Sequence, residues 1–210
     1  GCMTDETLSF DLFHPQPLLV VISGPSGVGK DAVIRSLQKR DMPLHFVVTM
    51  TSRAPRSGEV DGVDYIFVTH EKFEELVAQD EFLEHAVVYN DYKGIPKPQI
   101  RQALNSNQDV ILRVDVQGAQ TLRRLCPDAV LIFLIPTNQK EWFERLRNRQ
   151  TETSESLALR LNTAVSELEH LSAFDYVVVN THDRLEETVD MIVSIIQAEH
   201  HRVHPRKVTL

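Results

Sequence analysis

Three glycines and a lysine between Gly24 and Lys30 have the spacing of a phosphate-binding loop. The segment reads G-P-S-G-V-G-K and fits the pattern G-x-x-x-x-G-K. Glycines let the backbone turn tightly, so that successive N–H groups face one anion at the start of a helix. Lys30 would then reach the β- and γ-phosphates of a nucleotide. Because three of the chain's eight glycines lie here, an ordinary glycine-rich turn is the weaker interpretation.

Asp31 follows the lysine at a position where Ser or Thr normally ligates Mg²⁺. A carboxylate could replace that hydroxyl, directly or through water, but it also brings negative charge close to phosphates. Arg113 precedes Asp115 by two residues at the end of a predicted strand, so both side chains lie on one face of that strand. The sequence therefore leaves two roles open for Asp31, a metal ligand or the partner of Arg113 in an ion pair.

A second polar segment, Thr51–Phe67, could bind another anion. It contains Arg53, Arg56, several hydroxyl groups and two glycines, and it is too polar to lie in the core. Guanidinium groups bind phosphate monoesters through two parallel hydrogen bonds. By composition alone, a solvated loop with incidental charge is an equally good interpretation.

These two segments need elements that position them, and the hydrophobic pattern predicts a parallel sheet. Strands that are apolar throughout and are followed by helices are typical of a sheet covered on both faces. The predicted strands are Pro17–Ser23, Leu44–Met50, Asp109–Asp115, Ala129–Ile135 and Asp175–Val179, and the predicted helices are Gly29–Lys39, Gln117–Leu125, Gln139–Arg149, Ser154–Leu171 and Arg184–Glu199. The phosphate loop then lies between the first strand and the first helix.

Length and charge exclude several classes of protein. A chain of 210 residues suggests one domain, on a prior of about 150 residues per domain. The 22 basic and 30 acidic residues, a net charge of −8, argue against a nucleic-acid binder. The longest uncharged apolar run, Ala129–Ile135, is far shorter than the ~20 residues that span a bilayer. We expect no nucleic-acid or membrane partner, and a cytoplasmic location.

The segment Thr51–Phe67 resembles the guanylate kinase signature T-S-R-x-x-R-x-x-E/D-x-x-G-x-x-Y-x-F along its whole length. The resemblance runs from about Pro17 to Glu199. It continues through Phe73, Glu84, Asp115-Val116-Gln117-Gly118, Arg145-Leu146, Arg149–Thr153 and Val179-Asn180. The details G-V-G-K-D-A-V and Y-K-G-I-P-K are closer to the plant organellar branch of the family. That likeness makes a plastid or mitochondrion the alternative location.

The resemblance implies a fold and an activity. The fold is an α/β P-loop NTPase three-layer fold with a parallel sheet, an inserted GMP-binding lobe and a small lid. The activity is transfer of the γ-phosphoryl group of ATP to GMP, with Mg²⁺, giving ADP and GDP in purine nucleotide metabolism. A single domain would span 17–200, with a core (17–48, 101–137 and 155–200), a GMP-binding lobe (49–100), a lid (138–154), and tails at 1–16 and 201–210. ATP and GMP are the expected partners, dGMP is left open, and the expected state is a monomer or weak homodimer.

The resemblance also implies a role for each matching residue. The expected ATP-binding residues are Gly24, Pro25, Ser26, Gly27, Val28, Gly29, Lys30, Asp31, Arg145, Arg149 and Asn180. The expected GMP-binding residues are Thr49, Arg53, Arg56, Tyr65, Glu84, Lys93 and Asp115, with Glu84 accepting hydrogen bonds from guanine N1–H and the 2-amino group. Lys30, Arg53, Arg149 and Arg160 are expected to be catalytic. Asp31 and Asp115 are the expected metal ligands, directly or through water.

Three positions depart from the family pattern. Asp31 stands where the family usually has Ser or Thr, Arg113 where it has Asp, and Lys93 where a tyrosine contacts the GMP phosphate. Two other functions therefore stay open. One is a kinase of ribose bisphosphate, and the other is a non-catalytic guanylate-kinase-like module that binds phosphopeptides. Glu84 and the full signature disfavour the first, and the intact phosphate loop disfavours the second.

Overall fold

The computed structural model describes residues 8–148 and 153–210 of the chain. Its strands are β1 (Leu19–Ser23), β2 (Leu44–Phe46), β3 (Met50–Thr51), β4 (Ile66–Phe67), β5 (Phe82–Val88), β6 (Asp91–Pro96), β7 (Asp109–Arg113), β8 (Val130–Pro136) and β9 (Tyr176–Asn180). Its helices are α1 (Lys30–Gln38), α2 (His70–Ala78), α3 (Lys97–Asn105), α4 (Val116–Leu125), α5 (Gln139–Arg147), α6 (Ser154–Leu168) and α7 (Leu185–His200).

A parallel sheet in the order β2-β7-β1-β8-β9 forms the centre of the described part of the chain. Strand β1 is buried along its whole length. Its side chains alternate between two apolar clusters, because successive residues of a strand point to opposite faces. Val20 and Ile22 pack in the cluster that includes residues of α1 and α7. Leu19 and Val21 pack in the cluster that includes residues of α3 and α4.

This layered arrangement confirms the predicted α/β fold class. Parallel strands that are apolar on both faces need helices on both sides of the sheet. All of these strands run in one direction, so the residues that follow their carboxyl ends meet at one edge of the sheet, where open α/β sheets bind ligands. The phosphate loop after β1 and Asp115 after β7 lie at this edge.

A second sheet, in the order β4-β3-β6-β5, lies within 49–100, the range predicted for the inserted lobe. The prediction of one strand over Leu44–Met50 is wrong, because the chain changes sheets there. Strand β2 ends at Phe46 and β3 begins at Met50. The side-chain amide of Gln99 accepts a hydrogen bond from Val48 N at 3.0 Å and donates one to Val48 O at 2.9 Å. A side chain thus replaces the neighbouring strand that Val48 would otherwise need.

The segment 201–210, predicted as a tail, has neither helix nor strand but contacts the core. Val208 and Leu210 pack against the cluster that includes residues of α3 and α4. Arg206 Nε donates to the buried Glu199 carboxylate at 2.8 Å. Within residues 8–148 and 153–210, no helix has the length and apolar character needed to cross a membrane.

Candidate active site

The loop between β1 and α1 takes a conformation that requires glycine. Gly29 has φ of 99° and directly precedes Lys30, the first residue of α1. A Cβ atom at Gly29 would lie 2.7 Å from Asn180 Nδ2, so any larger residue there meets a packed neighbour as well as a strained backbone. The first N–H groups of α1 have no partner within the helix and are directed to the loop side, which favours an anion there.

Asn180 and Arg145 hold this loop from behind. Asn180 Nδ2 donates to Val28 O at 2.8 Å, and Arg145 Nη1 donates to the same oxygen at 2.9 Å. Arg145 Nη2 also donates to Asn180 O at 2.9 Å. Thr188 Oγ1 donates to Asn180 Oδ1 at 3.0 Å, which fixes the orientation of the amide. Both predicted ATP-binding side chains therefore contact the phosphate loop in this structure.

Two further side chains contact Ser26, in the middle of the loop. Trp142 Nε1 donates to Ser26 O at 2.9 Å, and Arg160 Nη1 donates to Ser26 Oγ. Trp142 is buried and stacks on Phe143, so it also serves packing. Arg160 lies on α6, so helices α5 and α6 both reach the loop that the sequence assigns to phosphate.

A cleft of about 540 Å³ opens in front of the loop. Lys30 Nζ lies over the loop and donates to Gly24 O at 2.6 Å. Burial lowers the pKa of Lys30, and the positive charge of Arg113 lowers it further. Arg113 Nη1 lies 2.8 Å from Asp31 Oδ1, so the ion pair that the sequence left open is present. One wall of this cleft is formed by Arg113 and Asp115.

A second pocket, of about 180 Å³, adjoins the first and uses the same wall. Its lining from the range 49–100 includes four of the predicted GMP-binding residues, Thr49, Tyr65, Glu84 and Lys93. Its lining from the central sheet includes Arg113 and Asp115. The two pockets therefore meet at the carboxyl end of β7. We refer to them as the nucleotide cleft and the acceptor pocket.

Glu84 gives the acceptor pocket a carboxylate that is costly to ionise. It lies on β5 where the pairing with β6 is irregular, next to the buried Leu83. Burial raises the pKa of Glu84, and the negative charge of Asp115 raises it further. A ligand that donates hydrogen bonds to Glu84 would favour the ionised form and reverse this cost.

Arg53 does not line the acceptor pocket but lies beside Tyr65, which does. Glu59 accepts hydrogen bonds from Arg53 Nη1 at 2.7 Å and from Nη2 at 2.8 Å, and Arg56 N donates to Glu59 at 2.7 Å. The Arg53 side chain and then Arg56 N lower the pKa of Glu59 to about 2. The Arg53 guanidinium lies 4.9 Å from the centre of the Tyr65 ring, and Lys93 Nζ lies 5.4 Å from it. Tyr65 thus brings two cations together beside the pocket.

A sequence profile described as guanylate kinase matches residues 16–199, a range that contains both pockets. The chain belongs to the guanylate kinase family. "Guanylate kinase 2, chloroplastic/mitochondrial" of Oryza sativa subsp. japonica is 52% identical over 197 residues, covering 93% of this chain and 69% of the relative. A "Guanylate kinase" of Halalkalibacterium halodurans is 44% identical over 183 residues, covering 87% and 89%. The crystal structure of guanylate kinase from Anaplasma phagocytophilum has a TM-score of 0.69 and 31% identity, covering 91% and 90%.

These similarities confirm the predicted family, fold and activity. The chain is an enzyme, a nucleoside monophosphate kinase with guanylate kinase activity. The two alternatives, a ribose bisphosphate kinase and a phosphopeptide-binding module, gain no support from relatives that are named guanylate kinases.

Not every residue of the predicted site lies at the two pockets of this guanylate kinase. Arg56 is exposed, and its backbone N–H is the group that reaches Glu59. Arg149 lies outside the described residues. Tyr92, the neighbour of Lys93, stacks on Phe73 with ring centres 4.9 Å apart. It therefore lies on the opposite side of β6 from the pocket and does not replace the missing tyrosine.

The structure adds three residues that sequence reasoning left out of the guanylate kinase site. Glu59 is part of the signature segment, but no role was predicted for it from the sequence. Its position six residues after Arg53 could have suggested an ion pair between the two side chains. Thr163 and Glu167 line the nucleotide cleft from α6. They lie three and seven residues after Arg160, so helical spacing places all three side chains on one face of α6. This spacing is the sequence signal from which Thr163 and Glu167 could have been predicted.

The two predicted metal ligands fit Mg²⁺ only in part. Asp31 Oδ1 is taken by Arg113, and Asp115 Oδ1 accepts a hydrogen bond from Gly118 N at 2.7 Å. No cluster of three or more His, Cys, Asp or Glu side chains suited to a metal occurs among the described residues. Mg²⁺ usually keeps several waters and binds through one or two carboxylates and substrate phosphates. Asp31 and Asp115 each have one carboxylate oxygen already in a contact and, among the described residues, the other available, which suits binding of Mg²⁺ mainly through its waters.

Proposed function

We propose that the enzyme holds ATP in the nucleotide cleft and GMP in the acceptor pocket and transfers the phosphoryl group directly between them. An oxygen of the GMP phosphate forms a bond to the γ-phosphorus. The bond from that phosphorus to the bridging oxygen of ATP breaks, and its electron pair stays on ADP. One observation supports this most strongly: Arg113 and Asp115 line both pockets, so the two phosphates would meet at a common wall.

The nucleotide cleft would bind ATP mainly through its phosphates. The loop Gly24–Gly29 and the start of α1 would surround the β-phosphate with N–H donors, and Lys30 would move from Gly24 O to the β- and γ-oxygens. Arg160 contacts Ser26 from α6 and would neutralise the transferring group together with Arg149. Arg145 and Asn180 would keep the loop in shape on the adenine side. Such positioning and charge neutralisation supply most of the rate in phosphoryl transfer.

The acceptor pocket would recognise the guanine base of GMP and bind the GMP phosphate. Glu84 accepts from the N1–H and 2-amino groups of guanine, Thr49 lies near the carbonyl edge, and Asp115 lies close to the 2-amino group or the metal. Arg53, Arg56, Tyr65 and Lys93 would hold the phosphate. Adenine has no such pair of donors, and an acceptor site left unpaired rejects the wrong ligand by up to ~10⁴–10⁵-fold.

No side chain is needed as a general base. The second pKa of a phosphate monoester is about 6, so the attacking oxygen is already largely ionised near neutral pH. Mg²⁺, when bound, neutralises charge on the ATP phosphates. Asp31 and Asp115 would hold it, mainly through water, because one oxygen of each carboxylate is already engaged.

Water must be kept from the γ-phosphate, or ATP would be hydrolysed. The inserted lobe, 49–100, and the segment 138–154 would close over the substrates when both are bound, as such segments do in other phosphotransferases. Residues 17–48, 101–137 and 155–200 would form the body against which they move.

A coupled assay of ADP release tests the substrate assignment. Turnover with ATP and Mg²⁺ is compared for GMP, dGMP, AMP, UMP, ribose bisphosphate and no acceptor. We expect turnover with GMP, and the comparison with dGMP shows whether the 2′-hydroxyl group is required. Glu84→Gln should lose most of this turnover, whereas Glu71→Gln, on an exposed face of α2, should behave as the wild type. Equal turnover with AMP or a sugar phosphate would contradict the assignment.

The cell compartment is a separate question. We infer an organelle rather than the cytoplasm, because the rice relative with 52% identity is named chloroplastic/mitochondrial. Fractionation of cells that express the full-length gene product at its native level tests this, and recovery in the cytosol alone would contradict it.

A further inference from the structure

Arg113 occupies the place where the two pockets meet. It is the last residue of β7 and lies in register with Ile22 of β1, two residues before the phosphate loop begins. Its side chain is 47% exposed and lines both the nucleotide cleft and the acceptor pocket. A guanidinium at this point faces the space between a donor and an acceptor phosphate.

Asp31 fixes this guanidinium at the wall. Its Oδ1 atom lies 2.8 Å from Arg113 Nη1, and it is the second residue of α1. A lone carboxylate beside Lys30 would repel phosphates, and pairing with Arg113 reduces that repulsion. Since a guanidinium has five N–H donors, the ion pair with Asp31 through Nη1 leaves most of them available for phosphate oxygens.

The charges around Arg113 are balanced until a nucleotide binds. Arg113 lies close enough to Lys30 to lower the pKa of that lysine, and Arg35 lines the same cleft. Asp31, Asp115 and Glu167 face these cations from α1, the β7–α4 junction and α6. Strongly anionic phosphates would shift this balance and attract the cationic groups toward the ligand.

We propose that Arg113 is a further catalytic residue of this guanylate kinase and that Asp31 is its positioning residue. This proposal rests on the proposed function. As the γ-phosphorus leaves the bridging oxygen of ADP and bonds to the GMP phosphate oxygen, the negative charge is spread over its three equatorial oxygens. Arg113 donates hydrogen bonds to one of them from between the two substrates. No proton is transferred in the step.

The competing explanation is that the ion pair only stabilises the first turn of α1. Arg40 provides the matched control, because it forms an ion pair of similar length with Asp190, 2.7 Å, and a second one with Glu186, and it lines neither pocket. The variants are Arg113→Ala, Arg113→Lys, Asp31→Asn, the double variant Arg113→Ala/Asp31→Asn, and Arg40→Ala. Thermal unfolding of each variant reports loss of stability separately from loss of activity.

Steady-state kinetics at saturating ATP, GMP and Mg²⁺ give the first readout. Arg113→Ala should lower kcat by ~10²–10³-fold, the usual effect of removing one donor from a developing charge, with a smaller change in either KM. Arg113→Lys should recover part of kcat, since it keeps the charge but not the planar fork. Asp31→Asn should lower kcat less, and in the double variant the two effects should be less than additive, because part of the effect of Asp31 acts through Arg113.

Calorimetric binding gives a readout that does not depend on turnover. The probes are ADP, GMP, and a bisubstrate compound in which adenosine and guanosine are joined through a chain of phosphates. Arg113→Ala should weaken binding of the joined compound much more than binding of either nucleotide alone, and Arg40→Ala should change none of the three.

The outcomes separate this proposal from the proposed function. Wild-type enzyme that does not phosphorylate GMP overturns both. Wild-type turnover with GMP, together with an Arg113→Ala kcat within a few-fold of wild type or unchanged affinity for the joined compound, overturns the role of Arg113 alone. An Arg113→Lys variant that folds and is no more active than Arg113→Ala would also contradict a role that depends on the positive charge.

Discussion

Two carboxylates on the acceptor side lie in opposite electrostatic surroundings. Glu84 faces a half-buried pocket and the like charge of Asp115, and its pKa is raised. Glu59 accepts hydrogen bonds from Arg53 and from Arg56 N, and its pKa is lowered to about 2. The first is arranged to receive hydrogen bonds from a ligand, and the second has already received them from the protein.

Replacement of Glu84 by Gln should separate function from stability. We expect kcat/KM for GMP to fall roughly 10²-fold. The amide of the Glu84→Gln variant would place its NH₂ group, a donor, against one of the two guanine donors, and the negative charge of the carboxylate would be lost. A carboxyl group whose folded pKa is raised binds its proton more tightly in the native state, so its contribution to stability decreases as pH rises above the unfolded pKa. Glu84→Gln should therefore unfold at a higher temperature than wild type at pH 7. A lower unfolding temperature would contradict this.

The same group should control the pH dependence of GMP binding. As the pH falls through the raised pKa of Glu84, the protonated form accumulates and the KM for GMP should rise, starting at a higher pH than for an ordinary glutamate. Glu84→Gln should show no such rise. Measurement of KM for GMP and KM for ATP across the acid range tests this, because the KM for ATP should not follow the same curve.

Glu59 should affect stability only where it is ionised. Its folded pKa, about 2, is below its ordinary value of 4.5, so the stabilisation is fully present above about pH 4.5 and is lost as the pH falls toward 2. The stability difference between wild type and Glu59→Gln should be constant near neutrality and should shrink in acid. Denaturant unfolding at several pH values measures it, and a difference that grows in acid would contradict the pairing.

At the residue scale, the sequence predicted several residues that the structure brings to one pocket, but it did not predict their electrostatic surroundings. The family resemblance implied roles for Thr49, Tyr65, Glu84 and Lys93, and these side chains line one pocket. The shared wall at Arg113 depends on how distant segments approach, which no local pattern records. The pairing of Arg53 with Glu59, six residues apart, did have a local signal.

At the scale of elements, the turn between β1 and α1 depends on Gly29. Gly29→Ala introduces both a strained backbone and a contact 2.7 Å from Asn180 Nδ2. We expect a loss of ~1–3 kcal/mol in stability and weaker ADP binding, because the loop must move away from Asn180. Calorimetric titration with ADP measures the second effect.

Gly62→Ala is the matched control for this variant. Gly62 also has a positive φ, 80°, but nothing lies within 4 Å of its Cβ position. It should lose some stability through backbone strain and keep the wild-type affinity for ADP. If both variants bind ADP equally, the contact with Asn180 has no part in shaping the loop.

The passage from β2 to β3 depends on the Gln99 side chain. Gln99→Ala would leave both polar groups of Val48 without the partners described above, which should cost ~1–3 kcal/mol of unfolding free energy. Gln102→Ala, on the exposed face of the same helix, should cost far less. Urea unfolding of both variants tests this difference. Equal values would show that Val48 finds other partners.

This passage also shows why one predicted strand was wrong. Residues 44–50 are apolar and rich in β-branched types, so periodicity predicts a continuous strand. The partner that interrupts it, Gln99, is about fifty residues away in the chain, and single-sequence patterns contain no information on that contact.

At the scale of the whole molecule, the order of the elements was predictable because it follows from burial. Strands apolar on both faces and alternating with helices require a parallel sheet, and the phosphate loop must then lie at its carboxyl edge. The position of the second sheet against the central one was not predictable in the same way. It sets the distance between Glu84 and the phosphate loop, and it therefore decides whether two bound phosphates can meet.

The central claim is that these two pockets bring ATP and GMP together for direct transfer. The most direct measurement follows the label from ATP that carries radioactive phosphorus at the γ-position, with GMP and Mg²⁺ present and the products separated by chromatography. The account predicts that all the label enters GDP, with one ADP formed per GDP and almost no free phosphate. Release of the label mainly as free phosphate, at a rate that does not depend on GMP, would contradict it.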